Sequence, residues 1–206
     1  RIFYTASGHD QRVWNNASFH QLLKSGILWA VGDKARKRYD NFLASRAPLK
    51  YEKRGNIPNY ERRPKPLEYQ LPLPPAESMK YTQVPVGFRL ELFASEPNVI
   101  NPIYMTWDER GRLWVVESVD YPNEFKDGRK GNDRIKVCED TNGDGRADKF
   151  TVFAEGFNMP TSMAFARGGV ILAHAPDFYF LKDTDGDDKA DIREVLFTGW
   201  GVGDTH

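Results

Sequence analysis

The sequence predicts a mostly β chain: the first two four-stranded blades of a β-propeller, preceded by a strand–helix piece of a separate α/β unit. Three observations carry this. From residue 86 onward, short apolar runs alternate with turn signals. Within that region CEDTNGDGRADKFTVFAEGF (138–157) aligns without gaps on LKDTDGDDKADIREVLFTGW (181–200), at an offset of 43 residues. Four short strands at such a period match a propeller blade. Before that region, between residues 46 and 85, the composition turns proline-rich and basic. The expected domains are therefore 1–45, a Pro-rich basic linker at 46–85, and blades at 86–206.

Residues 1–45 read as a strand followed by a helix. Arg1-Ile2-Phe3-Tyr4-Thr5 is β-branched and aromatic, and Gly8-His9-Asp10 turns the chain. Asn15 and Asn16 are N-cap candidates, and behind them Phe19, Leu22, Leu23, Ile27, Ala30 and Val31 recur at helical spacing. The basic run KARKRY (34–39) suits the C-terminal end of that helix. One strand and one helix cannot bury a core, so this piece requires partner strands. In residues 46–80, Pro48, Pro58, Pro64, Pro66, Pro72, Pro74 and Pro75 remove backbone donors, which predicts an extended, irregular path. Lys53, Arg54, Arg62 and Arg63 are interrupted by Glu52, Glu61 and Glu68, which disfavours a nucleic-acid arm.

The β region starts with Phe88-Arg89-Leu90-Glu91-Leu92-Phe93, which alternates as a half-buried strand does. Strands follow at 104–107, 113–116, 135–138 and 150–153, then at 163–165, 170–173, 178–181 and 195–197. Leu113-Trp114-Val115-Val116 is wholly apolar, as in a strand covered on both faces. The first repeat carries an excursion from 118 to 134 that includes Asp120-Tyr121-Pro122-Asn123. Two blades cannot close a ring. Arg1 is not a Met and His206 follows a Gly-rich turn, so the chain reads as an internal fragment.

The two Asp/Gly loops carry the strongest chemical signal. Asp140, Asn142, Asp144 and Asp148 stand at positions 1, 3, 5 and 9 of the first loop. Asp183, Asp185, Asp187 and Asp191 stand at the same positions of the second. Oxygen ligands at that spacing, around a sharp glycine turn, are what a Ca²⁺ loop supplies. The sixth position is Gly145 in the first loop and Asp188 in the second, where a left-handed backbone costs more. The twelfth is Thr151 or Glu194, so the second loop alone offers a closing carboxylate. The competing reading is a plain turn between strands.

Other chemistry is sparse. The histidines His9, His20, His174 and His206 have no metal-ligand spacing. His20 and His174 read as structural; His206, in the loop after the last strand of a blade, is placed to act as a general base. Cys138 reads as a packing residue, and one cysteine excludes an internal disulfide, a Cys-x-x-Cys pair or a covalent haem attachment. Lys plus Arg and Asp plus Glu are both 29, a balance that disfavours a nucleic-acid binder. No apolar run approaches the ~18 residues of a membrane span.

Segments 84–123 (VPVGFRLELFASEPNVINPIYMTWDERGRLWVVESVDYPN), 131–165 and 176–206 resemble the start of the propeller in the PVC-type membrane-bound dehydrogenase family. That family is similar to quinone-dependent glucose/sorbosone dehydrogenases, and its members often end in a haem-binding Cys-x-x-Cys-His domain. RIFYTASGHD…GILWAVG (1–32) resembles the end of a ThuA-like domain, which has a flavodoxin-like α/β fold. The resemblance implies an exported, periplasmic or envelope-associated quinoprotein-like dehydrogenase acting on a sugar or related alcohol. It implies pyrroloquinoline quinone in the full-length protein, an electron acceptor as partner, and haem c where a downstream domain exists, beside the Ca²⁺ that the loop spacing predicts. Asp204-Thr205-His206 looks like the turn that holds the proton-accepting histidine of soluble quinone-dependent sugar dehydrogenases. The chain alone is expected to be inactive. Two alternatives stand beside this: a non-catalytic, calcium-stabilised propeller that binds carbohydrate or protein, and a sugar-derivative-processing activity in the ThuA-like part.

Overall fold

A computed structural model describes residues 1–53, 68–85, 87–121 and 130–202. The chain divides into two compact units, Arg1–Val86 and Gly87–His206. Among the described residues no helix is long and apolar enough to cross a membrane.

The first unit begins with three helices, α1 (Gln11–Trp14), α2 (Ala17–Val31) and α3 (Asp33–Ala44). Asn16 is the N-cap of α2: its side-chain oxygen accepts from the Ser18 and Phe19 amides. Two expectations are corrected here. KARKRY does not end the first helix, because Gly32 at φ +75° breaks the chain and the basic run lies in α3. Arg1-Ile2-Phe3-Tyr4-Thr5 forms no ladder among the described residues, since a strand requires a neighbour. It lies instead along α2. Phe3 sits against Gly26, where a Cβ would overlap its ring, and Arg1 donates to the Trp29 carbonyl at 3.1 Å.

The expected irregular linker holds short regular pieces. β1 (Tyr51–Lys53) pairs antiparallel with β2 (Glu68–Gln70), and α4 (Pro75–Ser78) runs into a 3₁₀ turn, Met79–Tyr81. Pro75 at the first position of α4 costs nothing, because that amide has no helical partner. The stretch holding Arg54, Pro58, Glu61, Arg62, Arg63, Pro64 and Pro66 lies outside the described residues.

The second unit is two four-stranded antiparallel sheets in consecutive order. The first contains β3 (Pro102–Trp107), β4 (Leu113–Glu117), β5 (Asp133–Glu139) and β6 (Lys149–Phe157). The second contains β7 (Pro160–Ala166), β8 (Gly169–His174), β9 (Asp177–Lys182) and β10 (Ile192–Thr198). All eight expected strands are present, each longer than its apolar centre. β4 is buried along its whole length, as its unbroken apolar run requires. The repeat extends to the strand starts: Asn101-Pro102 and Met159-Pro160 both enter at positive φ, 45° and 60°.

One core joins the sheets. Trp114, Val116, Ile135, Val137, Phe153 and Phe157 of the first pack with Met163, Val170, Leu172, Tyr179 and Leu181 of the second. Gly169 lets β8 approach β9, since a Cβ there would meet the Leu181 carbonyl. Arg193 of β10 lies over the rings of Phe157 and Tyr179, at 4.2 and 4.8 Å from their centroids. The other face of the first sheet carries a second cluster: Val99, Leu113, Val115 and Cys138, with Phe93 and Ala94 against it. Residues 88–93 supply that cover without pairing, so the strand expected there is absent among the described residues.

Candidate metal centre

Both Asp/Gly loops fold on one hydrogen-bond skeleton. In the first, the Asp140 carboxylate accepts from the amides of Gly143 at 2.7 Å and Gly145 at 2.8 Å. In the second, the Asp183 carboxylate accepts from Gly186 at 2.7 Å and Asp188 at 2.8 Å. Positions 3 and 5 repeat as well. Asn142 accepts from the Asp144 amide and Asp144 from the Arg146 amide; Asp185 accepts from Asp187 and Asp187 from Lys189. These bonds curl each loop in the same way, and in the second they bring the first, third and fifth side chains to one centre. The Gly145 and Gly143 amides hold the Asp140 carboxyl below the usual carboxylate range.

The second loop brings carboxylate oxygens of Asp183, Asp185 and Asp187 within 4.8 Å of one another. Hard oxygen donors in that number suit a hard divalent cation. In the first loop Asn142 replaces the middle carboxylate, which lowers the charge density. The ninth-position residues are turned elsewhere. Asp148 accepts from the Thr141 amide and hydroxyl, at 3.1 and 2.8 Å. Asp191 accepts from those of Thr184, at 2.7 and 2.9 Å, and the Thr184 amide holds its carboxyl below the ordinary range. Asp191 therefore stands outside the group of three. A cation would be held chiefly by positions 1, 3 and 5.

Asp188 holds φ +65°, and its side chain leaves the loop. It accepts from Arg112 at 2.7 Å and Arg110 at 3.3 Å, and lies 3.6 Å from Lys149. Arg112 also meets Asp108 at 2.8 Å, and Asp108 accepts from the Trp114 indole at 2.9 Å. The Asp108–Arg112–Asp188 triad links the β3–β4 turn to the second loop, with side-chain exposures of 5, 6 and 18%. Arg112, then Arg110 and Lys149, keep Asp188 ionised below its ordinary pKa. Burial pushes Asp108 up, but Trp114 and Arg112 more than reverse it. A cleft of about 420 Å³ lies between the two sheets here, lined by Arg112, Trp114, Phe153, Phe165, Asp183 and Asp188. Its buried cation, Arg112, is already bound to two carboxylates.

The opposite end of the sheets holds a polar group that sequence reasoning missed. The Asp133 carboxylate accepts from Ser118 Oγ and from the Val119, Asp120 and Met159 amides, at 3.1, 2.6, 3.0 and 2.7 Å. Asp120 accepts from Asn132 and Asn158. Gly131 is required beside it, because a Cβ would meet the Phe157 carbonyl. His174 Nε2 accepts from the Asn158 amide at 3.0 Å, which makes it the structural histidine that was expected. Nothing in the spacing of these residues signals the network; only the packing of strand ends creates it. Cys138 is fully buried and its thiol is pushed up to about 11, as a packing residue requires. His206 lies outside the described residues, as do Pro122, Asn123, Asp204 and Thr205.

Comparison with known families matches residues 74–206 to "Domain of unknown function (DUF7133)". The chain belongs to that family. No curated protein matches the chain. No solved structure matches it either.

Proposed function

We propose that the two repeated sheets are blades of a β-propeller whose Asp/Gly loops bind Ca²⁺, in an exported quinoprotein-like dehydrogenase acting on a sugar or related alcohol. The observation that carries the calcium part is the convergence of Asp183, Asp185 and Asp187. Three carboxylates so close repel one another, and a divalent ion converts that repulsion into attraction. Mg²⁺ fits less well because it demands octahedral geometry. The blade part is supported by consecutive antiparallel sheets that share one core. The dehydrogenase part is supported by the sequence resemblance, with His206 as the general base.

The ions act on stability in this reading. The loops join β5 to β6 and β9 to β10, at the sheet end away from the strand ends that lead to residue 206. Haem c has no attachment point here, because Cys138 is single and buried.

The test is thermal melting in EDTA and then in millimolar Ca²⁺. At a hundredfold excess over the dissociation constant, about 2.7 kcal/mol of stabilisation is expected. Asp187→Ala should remove most of the response and Asp144→Ala less. An unchanged melting temperature reduces both loops to turns. Residues 1–206 with pyrroloquinoline quinone, aldoses and a dye acceptor should show no turnover. Turnover only in a longer polypeptide, abolished by His206→Ala, supports the dehydrogenase. Calcium stabilisation with sugar binding but no turnover there favours the non-catalytic propeller.

A further inference from the structure

The two sheets are covered in the same way by the segment that precedes each. Leu113 faces Cys138 in the first sheet as Val170 faces Leu181 in the second. Phe153 and Ala154 of β6 pack in the cluster of Val170, Leu172 and Leu181. Phe93 and Ala94 pack likewise on Leu113, Val115 and Cys138. The sequences agree, Leu92-Phe93-Ala94 against Val152-Phe153-Ala154. So does one hydrogen bond at the eighth position of each loop. The Ala190 amide donates to the Phe153 carbonyl at 2.8 Å, and the Ala147 amide to the Phe93 carbonyl at 2.9 Å. Residues 88–94 therefore hold, before the first sheet, the place that β6 holds before the second.

One thing differs. β6 is paired with β5 along its length, whereas residues 88–94 have no ladder partner among the described residues. Phe88 and Leu90 are 73 and 39% exposed. An alternating apolar segment with no ladder partner is a template for strand addition. We propose that residues 88–94 are the outer strand of a further four-stranded sheet, completed by a segment that carries this same repeat and has no outer strand of its own. A second copy of the chain does not meet that description. Its β5 and β9 edges are already occupied by β6 and β10. The inference rests on the two-sheet repeat alone and needs neither calcium nor a dehydrogenase.

The probe is a synthetic peptide of residues 169–191, which contains β8, β9 and the second loop but leaves the β9 edge open. Added to residues 1–206, it should slow amide hydrogen exchange across 88–94 by about tenfold or more, while β6 and β10 stay unchanged. A peptide of residues 177–198, whose β9 edge is closed by β10, should give no slowing. Leu90→Pro in the chain should abolish the effect, with unchanged exchange in β4 and β5 showing that the sheets persist. No slowing at millimolar peptide overturns the proposal, as does equal slowing in Leu90→Pro. Protection of 88–94 in a concentration-dependent dimer of the chain alone also overturns it, in favour of strand exchange between copies.

Discussion

The two Asp/Gly loops differ most at their sixth residue, and the difference shows two ways to hold one backbone shape. Gly145 takes φ +87° with open space where its side chain would be. Asp188 takes φ +65° and carries the steric cost of a Cβ there. Its carboxylate is compensated by Arg112, which Asp108 positions from the β3–β4 turn. The sixth residue of the first loop thus needs no outside partner, while that of the second is tied to the neighbouring sheet.

The strongest way to break this comparison is Arg112→Met. It leaves Asp108 and Asp188 without their shared cation in a partly enclosed site, a change that costs roughly 3–5 kcal/mol. Urea unfolding of residues 1–206 should show the loss. Adding Asp188→Gly should recover part of it, because the second loop then resembles the first. Full stability in Arg112→Met would mean that solvent already screens the triad. A smaller effect is expected from Gly145→Asp. Among the described residues no arginine meets the first loop as Arg112 meets the second, so the substitution should cost about 1–2 kcal/mol of strain.

That asymmetry explains what the sequence could and could not reveal. The eight strands were legible because apolar runs and turn residues are local signals. The loop skeleton was legible because each of its bonds spans a few residues, as from Asp140 to Gly143. Gly145 against Asp188 was visible as a departure, but the remedy was not, since Arg112 lies 76 residues away. The Asp133 network was hidden for the same reason: its partners come from both sheets. The strands expected at 1–5 and 88–93 have the right alternation, yet a strand is defined by its neighbour, and neither segment finds one among the described residues.

The threonine clamps provide a finer comparison. Thr141 and Thr184 hold Asp148 and Asp191 away from the loop centres. Thr184→Val keeps the shape, removes the hydroxyl bond and should cost about 1 kcal/mol without calcium. It also leaves Asp191 held by the residue-184 amide alone, so that its carboxylate turns inward more readily. Calcium affinity in the second loop should therefore rise, as read by titration calorimetry, and Thr141→Val should do the same for Asp148. A fall in affinity would show that the threonine-bound carboxylate orients the loop for the ion.

Acid titration separates the two ends of the sheets, with the smallest effect nearest neutrality. His174 is 2% exposed, and burial holds its pKa below the ordinary 6.5. The unfolded chain therefore takes up a proton before the folded one does. Stability is full above 6.5 and falls as pH drops below it, by at most about 1.4 kcal/mol per pH unit, until the folded imidazole also protonates. Asp188 and Asp108 act lower. Their folded pKa values lie below the ordinary 3.8, so their contribution is intact above it and is lost as pH falls through the depressed values. His174→Gln should flatten the first decline and leave the second. Asp188→Gly should weaken the second and leave the first. Melting temperatures measured from pH 7.5 to 3 check both. A decline between 6.5 and 5 that survives His174→Gln would show that a group other than this imidazole takes up the proton.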